Sequence, residues 1–92
     1  PLGFAQKDPR EAEYFFIEAQ KYFLLEDYTR ALSLFRKALE IQPNQPAIHY
    51  KIAEILSGNN EEDQALFHAL KAKNLDPGNK FYYLLLANIY TK

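Results

Sequence analysis

His49 and His68 are the two side chains able to exchange protons near neutral pH, and they stand 19 positions apart. Nothing around either has the spacing of a metal site, so His49 is expected to be structural and His68 exposed. The acidic run Glu61-Glu62-Asp63 lacks the alternating ligands and the glycine of a calcium loop. Carboxylates opening a helix, where its dipole favours negative charge, account for that run fully. With no cysteine there is no thiolate nucleophile, disulfide or Cys-based zinc site, although the redox compartment stays open. No glycine-rich phosphate loop and no Ser/His/Asp or Cys/His set occurs either. The expectation is a chain with no catalytic, cofactor or metal site. What remains is an aromatic inventory of seven Tyr and seven Phe, which is chemistry for packing and recognition.

Charge narrows the partners. Eleven Lys+Arg against 12 Asp+Glu give a net charge of −1, and no basic cluster tracks phosphates. The densest group is Lys71, Lys73 and Lys80 with Asp76 among them, a solvated helix end. No nucleic acid partner is expected. No apolar run nears the ~18–20 residues needed to span a bilayer, so no membrane insertion is expected. With 48% hydrophobic and 25% charged residues, the chain reads as one globular domain.

The elements that must position the aromatics follow in order. Residues 1–8 form a leader before the first helix. Its PLGFAQ start reads either as a scar left by removing a tag or as a signal-peptide remnant with Gly3 and Ala5 framing a cleavage site. The second reading implies a periplasmic or cell-envelope protein; the first leaves the compartment open. Asp8-Pro9-Arg10-Glu11 predicts a capped helix start with a capping box, and a helix over 9–25 with Phe15, Ala19 and Tyr22 on one face. Asp27 can cap a second helix to about Ile41, with Ala31, Leu34, Phe35, Ala38 and Leu39 inward, before Pro43 stops it. Asn44 can cap a third over about 45–57, with His49, Ile52, Ala53 and Leu56 inward. Asn59 or Asn60 can cap a fourth carrying Ala65, Ala69, Ala72 and Leu75, which ends before Pro77. A fifth runs from about Lys80, with Ala87 and Tyr90 inward.

These marks recur. Ala31 and Ala65, Ala38 and Ala72, and Pro43 and Pro77 are each 34 positions apart. Small residues at seven-residue spacing around an aromatic, then proline, repeated at that interval, resemble the tetratricopeptide repeat (TPR) family. The resemblance covers residues 9–92. It implies an all-α solenoid of five antiparallel helices in a right-handed superhelix. One repeat would cover about 12–45 and a second about 46–79, and 80–92 would be the first helix of a third. Departures are Glu18 at a usual leucine, Ala69 at a usual aromatic, and Glu26 and Asn60 where the family has glycine; they suggest a looser second repeat.

The family's function, as the resemblance implies, is non-catalytic protein–protein interaction: a scaffold whose concave face binds a peptide or helix. Carried over position by position, that groove comprises Phe16, Gln20, Phe23, Tyr50, Glu54, Phe81, Leu84 and Asn88. One class of the family grips chaperone-tail carboxylates with a lysine and an asparagine where this chain has Phe16 and Gln20, and with a further asparagine and basic residues at later positions where it has Lys51 and Leu85. That clamp is absent, so no chaperone-tail binding is expected. The fifth helix, Phe81-Tyr82-Tyr83-Leu84-Leu85-Leu86-Ala87, is apolar nearly all round, as in buried helices. Its expected cover is a further helix, another domain of a larger protein, or self-association with a second copy. In that alternative the chain is a structural oligomerisation segment.

Overall fold

The computed structural model describes residues 8–92. The leader readings of residues 1–6 lie outside them. The fold is all-α: five helices, α1 (Pro9–Leu24), α2 (Tyr28–Ile41), α3 (Pro46–Gly58), α4 (Glu62–Leu75) and α5 (Lys80–Tyr90), with no strand among the described residues. They fall into two compact units that divide at Pro43 and Asn44.

In the first unit α1 and α2 pair as a hairpin. Asp8 caps α1, its carboxylate accepting from the Arg10 backbone N–H at 2.9 Å. The rest of that carboxylate engages the Arg10 guanidinium, and the expected reciprocal bond from Glu11 does not form among the described residues. Asp27 caps α2 by accepting from the Arg30 N–H at 3.2 Å. Ala12, Ala19, Ala31, Phe35 and Ala38 are buried. Four alanines around one phenylalanine let two helices nest while a single ring fills the space between them.

The second unit holds α3, α4 and α5, with α4 packed on both of its neighbours and a smaller contact between α3 and α5. Ala65, Ala69 and Ala72 of α4 are fully buried, as are Ile52 and Ala53 of α3. The Lys92 ammonium donates to the Ser57 carbonyl, tying the end of α5 to the end of α3.

Several local expectations are corrected. Neither Asn44 nor an Asn59 or Asn60 side chain caps a helix: Gln45 and Glu61 occupy those positions and make no side-chain cap bond. Leu75, expected inward, is 38% exposed, because it is the last residue of α4 and the chain turns away at Asp76. Ala87 and Tyr90, expected inward by repetition, are exposed, as is Tyr83 one turn before them. The face they share carries no following helix among the described residues.

The turns explain why Asn60 is unavailable as a cap. Glu26 and Asn60, themselves 34 apart, both take a left-handed φ of 61°. After α1 the Asp27 N–H bonds to the Tyr22 carbonyl at 2.9 Å and the Glu26 N–H to Phe23 at 3.0 Å. After α3 the Glu61 N–H bonds to Leu56 at 2.9 Å and the Asn60 N–H to Ser57 at 3.1 Å. This doubled bonding closes a helix through one left-handed residue, usually glycine. Both residues carry a Cβ that crowds the carbonyl there, but asparagine tolerates the conformation better than glutamate because its short polar side chain can hydrogen-bond the local backbone. Glu26→Gly should therefore raise stability by about 0.5–1 kcal/mol, the relieved strain outweighing the added freedom of the unfolded chain. Asn60→Gly should do less, and paired urea titrations of the two variants check the order.

Candidate interaction surface

The expected groove residues fall on both units, and each set is built locally. On α1, Phe16, Gln20 and Phe23 follow one another at i, i+4 and i+7 along one stripe, and all three are half-buried. Phe16 stands edge-on to buried Phe35 with centroids 5.4 Å apart, and Phe23 stands edge-on to Tyr28 at the same distance. These rings are therefore part core and part surface. Gln20 Oε1 is buried and makes no hydrogen bond within the described residues.

In the second unit, Tyr50 of α3 lies against Tyr82 of α5, with centroids 5.1 Å apart and planes tilted by 43°. Glu54, one turn along, sits beside the Lys51 ammonium at 3.0 Å. On α5, Phe81, Leu84 and Asn88 are all exposed, Phe81 at 55% and Leu84 at 62%. The structure thus joins Tyr50 to α5 through a residue the sequence reading left out. Tyr82, only 5% exposed, is the contact that positions Tyr50. Its period-matched equivalent Ile48 is also buried, but Tyr14 at the same position of α1 is 60% exposed, so the period alone did not mark it. Lys51 and Tyr28 were likewise missed as partners of Glu54 and Phe23.

Both tyrosine hydroxyls are shifted upward. Burial is the main cause for Tyr50, reinforced by the Glu54 and Tyr82 charges and by a hydrogen bond with Glu54. Burial also leads for Tyr82, with the Asp76 charge adding. A phenol held neutral by the fold contributes stability that is complete below its unfolded value near 10. That stability drains away as pH rises from there toward the folded value, because the unfolded chain releases the proton first. Unfolding free energies should therefore fall above about pH 10, and Tyr82→Phe should flatten the fall.

His68 was expected to be exposed; the structure corrects that and brings it to His49. His49 is 3% exposed and His68 half-buried, and their Nδ1 atoms lie 2.9 Å apart across the α3–α4 contact. The ring centroids are 5.2 Å apart, so the nitrogens meet nearly head-on. One Nδ1–H donates and the other Nδ1 accepts, which gives the two rings different tautomers. The pair fastens α3 to α4. No cluster of three or more His, Cys, Asp or Glu among the described residues could hold a metal ion. Among them, no helix is long and apolar enough to cross a membrane.

Helical hairpins built on alanines, repeated at one interval and carrying exposed aromatic stripes, define a helical-repeat protein of the interaction class. Comparison with known families agrees: the tetratricopeptide repeat model matches residues 22–89, and the chain belongs to that family. It is similar to a small glutamine-rich tetratricopeptide repeat-containing protein 2 of Mycosarcoma maydis, with 30% identity over 73 residues. That match takes in 79% of this chain and 21% of the relative, so the chain spans about a fifth of the relative's length. Repeats of this family are generally non-catalytic modules that bind other proteins.

Proposed function

We propose that this chain binds a peptide or helix of a partner protein through its aromatic stripes: Phe16, Gln20 and Phe23 in the first unit, and Tyr50, Glu54, Phe81, Leu84 and Asn88 in the second. The observation that carries the reading is the exposure of Phe81 and Leu84 on α5, the helix that also holds Tyr50 through Tyr82. Apolar side chains left in water on a rigid helix gain free energy when a ligand covers them, at about 25 cal/mol per Å². An amphipathic helix or apolar peptide matches such a surface, with the polar atoms of Glu54 and Asn88 beside it to set orientation. The repeats are read as residues about 12–45 and 46–79, with 80–92 opening a third. No chaperone-tail clamp is proposed, since Phe16 and Gln20 replace its lysine and asparagine.

The test is a titration of apolar helical peptides against the parent chain, Tyr50→Ala and Leu84→Ala. Leu84→Ala trims an exposed side chain and should leave folding intact while weakening binding about 3–10-fold, the range for truncating a contact inside a binding patch. Tyr50→Ala should weaken it at least as much. Equal affinity of all three proteins would remove the proposal.

A further inference from the structure

His49 and His68 are the two histidines of the chain, and the packing of α3 on α4 sets their Nδ1 atoms 2.9 Å apart. At that separation one hydrogen fits between the two nitrogens. With both rings neutral, the donor ring carries its hydrogen on Nδ1 and the acceptor ring carries its own on Nε2. A first added proton has a place, the Nε2 of the donor ring, and the bond survives as a charge-assisted one. A second has none. The remaining basic nitrogen is the acceptor Nδ1, and protonating it sets two N–H groups and two positive charges face to face.

His49 cannot turn aside to relieve that contact. It is 3% exposed, and Ile52 and Ala53 on its own helix are fully buried, as are Ala65, Ala69 and Ala72 on α4. Close-packed surroundings leave little space for another rotamer. His68, half-buried, is the ring that must leave, and with it goes the bond that fastens α4 to α3.

Neighbouring charges do not offset the second proton. Three and four positions from His49 no residue of α3 is charged, and at the same spacing from His68 the charged residue of α4 is Lys71, a cation. Lys51 of α3 is held by Glu54 at 3.0 Å. On α4, Glu62 and Asp63 precede His68 by more than a turn, and Lys73 and Asp76 follow it by more than a turn. The face that α5 buries in this unit contributes Tyr82, a phenol that burial keeps neutral. Tyr83 gives its hydroxyl to the Pro77 carbonyl, and Lys80 and Lys92 stand at the two ends of the helix.

We propose that the His49–His68 pair is a proton-counting latch. It holds α3 against α4 with no added proton or with one, and releases α4 when a second arrives. Tyr50 follows His49 in the chain and rests on Tyr82 of α5, so the release reaches the aromatic contact of the second unit. Acid control of ligand binding would rest on the function proposed above, whereas the latch itself is read without ligand.

Heteronuclear NMR of the imidazoles in the 92-residue chain, taken from about pH 7.5 down to about pH 5, should show two separate proton uptakes. Tyr50–Tyr82 cross-peaks should persist through the first and fade with the second. Urea titrations give the energetic reading. The unfolded chain takes two protons over this range and the latched chain one, so stability falls as pH falls. The folding equilibrium constant should drop about tenfold between about pH 7.5 and pH 5.5. His49→Asn sets an amide that does not titrate near the place of Nδ1. His68 can then take its proton while donating from Nδ1 to the amide oxygen, so the acid loss should shrink to about twofold or less. Where that variant does not fold, NMR of the parent chain decides. The proposal is overturned if both imidazoles charge while the Tyr50–Tyr82 cross-peaks persist, if these fade with the first proton, or if His49→Asn loses as much stability in acid as the parent.

Discussion

Phe35→Ala should destabilise the chain by about 3–5 kcal/mol, the largest effect expected of any single truncation here. Phe35 is 0% exposed and stands edge-on to Phe16 across the α1–α2 contact. Among the described residues, the other buried apolar ones of that unit are Ala12, Ala19, Ala31 and Ala38. Alanines have no side chain to swing inward, so the space vacated by the ring stays a cavity and the loss falls toward the upper end. For a domain this small, such a change would lower the melting temperature by roughly 12 °C or more. Phe67→Ala is the matched control, since Phe67 on α4 is 56% exposed and touches the edge of His68. Its loss should stay below about 1 kcal/mol. Urea unfolding of the two variants makes the comparison, and a Phe35→Ala loss as small as that of Phe67→Ala would show that this ring does not hold α1 to α2.

The contrast between these two phenylalanines shows what the sequence made legible. Residue type alone does not separate Phe35 from Phe67. The 34-residue period does, because it sets Phe35 between two alanines that recur as Ala65 and Ala72. Helix boundaries were legible for the same reason: proline, glycine and acidic residues punctuate the chain where local backbone geometry demands it. Turn chemistry was only half legible. Asn60 suits both a helix cap and a left-handed backbone, and the choice depends on hydrogen bonds from both ends of the turn. The shared register of Asn60 with Glu26 was the signal that pointed to the second.

Contacts across helices were the least legible. The meeting of His49 and His68 depends on how α3 and α4 are rotated against each other, which no count of residues along one helix specifies. The exposure of Tyr83, Ala87 and Tyr90 failed to follow from the pattern for a related reason. Periodicity states which face can be buried, whereas burial itself requires a neighbour. Of the expected interaction residues, Phe81, Leu84 and Asn88 are exposed, while Phe16, Gln20, Phe23, Tyr50 and Glu54 are half-buried. The aromatic residues among the latter five divide their surface between core and solvent, a division set by ring orientation and invisible to position alone.

That dependence on neighbours gives the second large effect, expected from adding bulk rather than removing it. Ala38→Leu and Ala72→Leu should each cost about 1–3 kcal/mol. Both alanines are 0% exposed, and both lie on helices held against a partner, α2 on α1 and α4 on α3 and α5. Helix axes in contact lie roughly 8–10 Å apart, with the spacing set by the side chains at the crossing. Three further carbon atoms at either site must force the axes apart or drive a neighbour from its preferred rotamer. Ala87→Leu provides the discriminating comparison, because Ala87 continues the alanine pattern of Ala19 and Ala53 but is exposed. Leucine there should alter stability by no more than about 0.5 kcal/mol, as surface substitutions do. Composition and helix propensity scarcely distinguish the three substitutions, so a difference between them measures packing. Equal melting temperatures for all three variants would mean that Ala38 and Ala72 are not where the helices meet, and the repeat register would have to be redrawn.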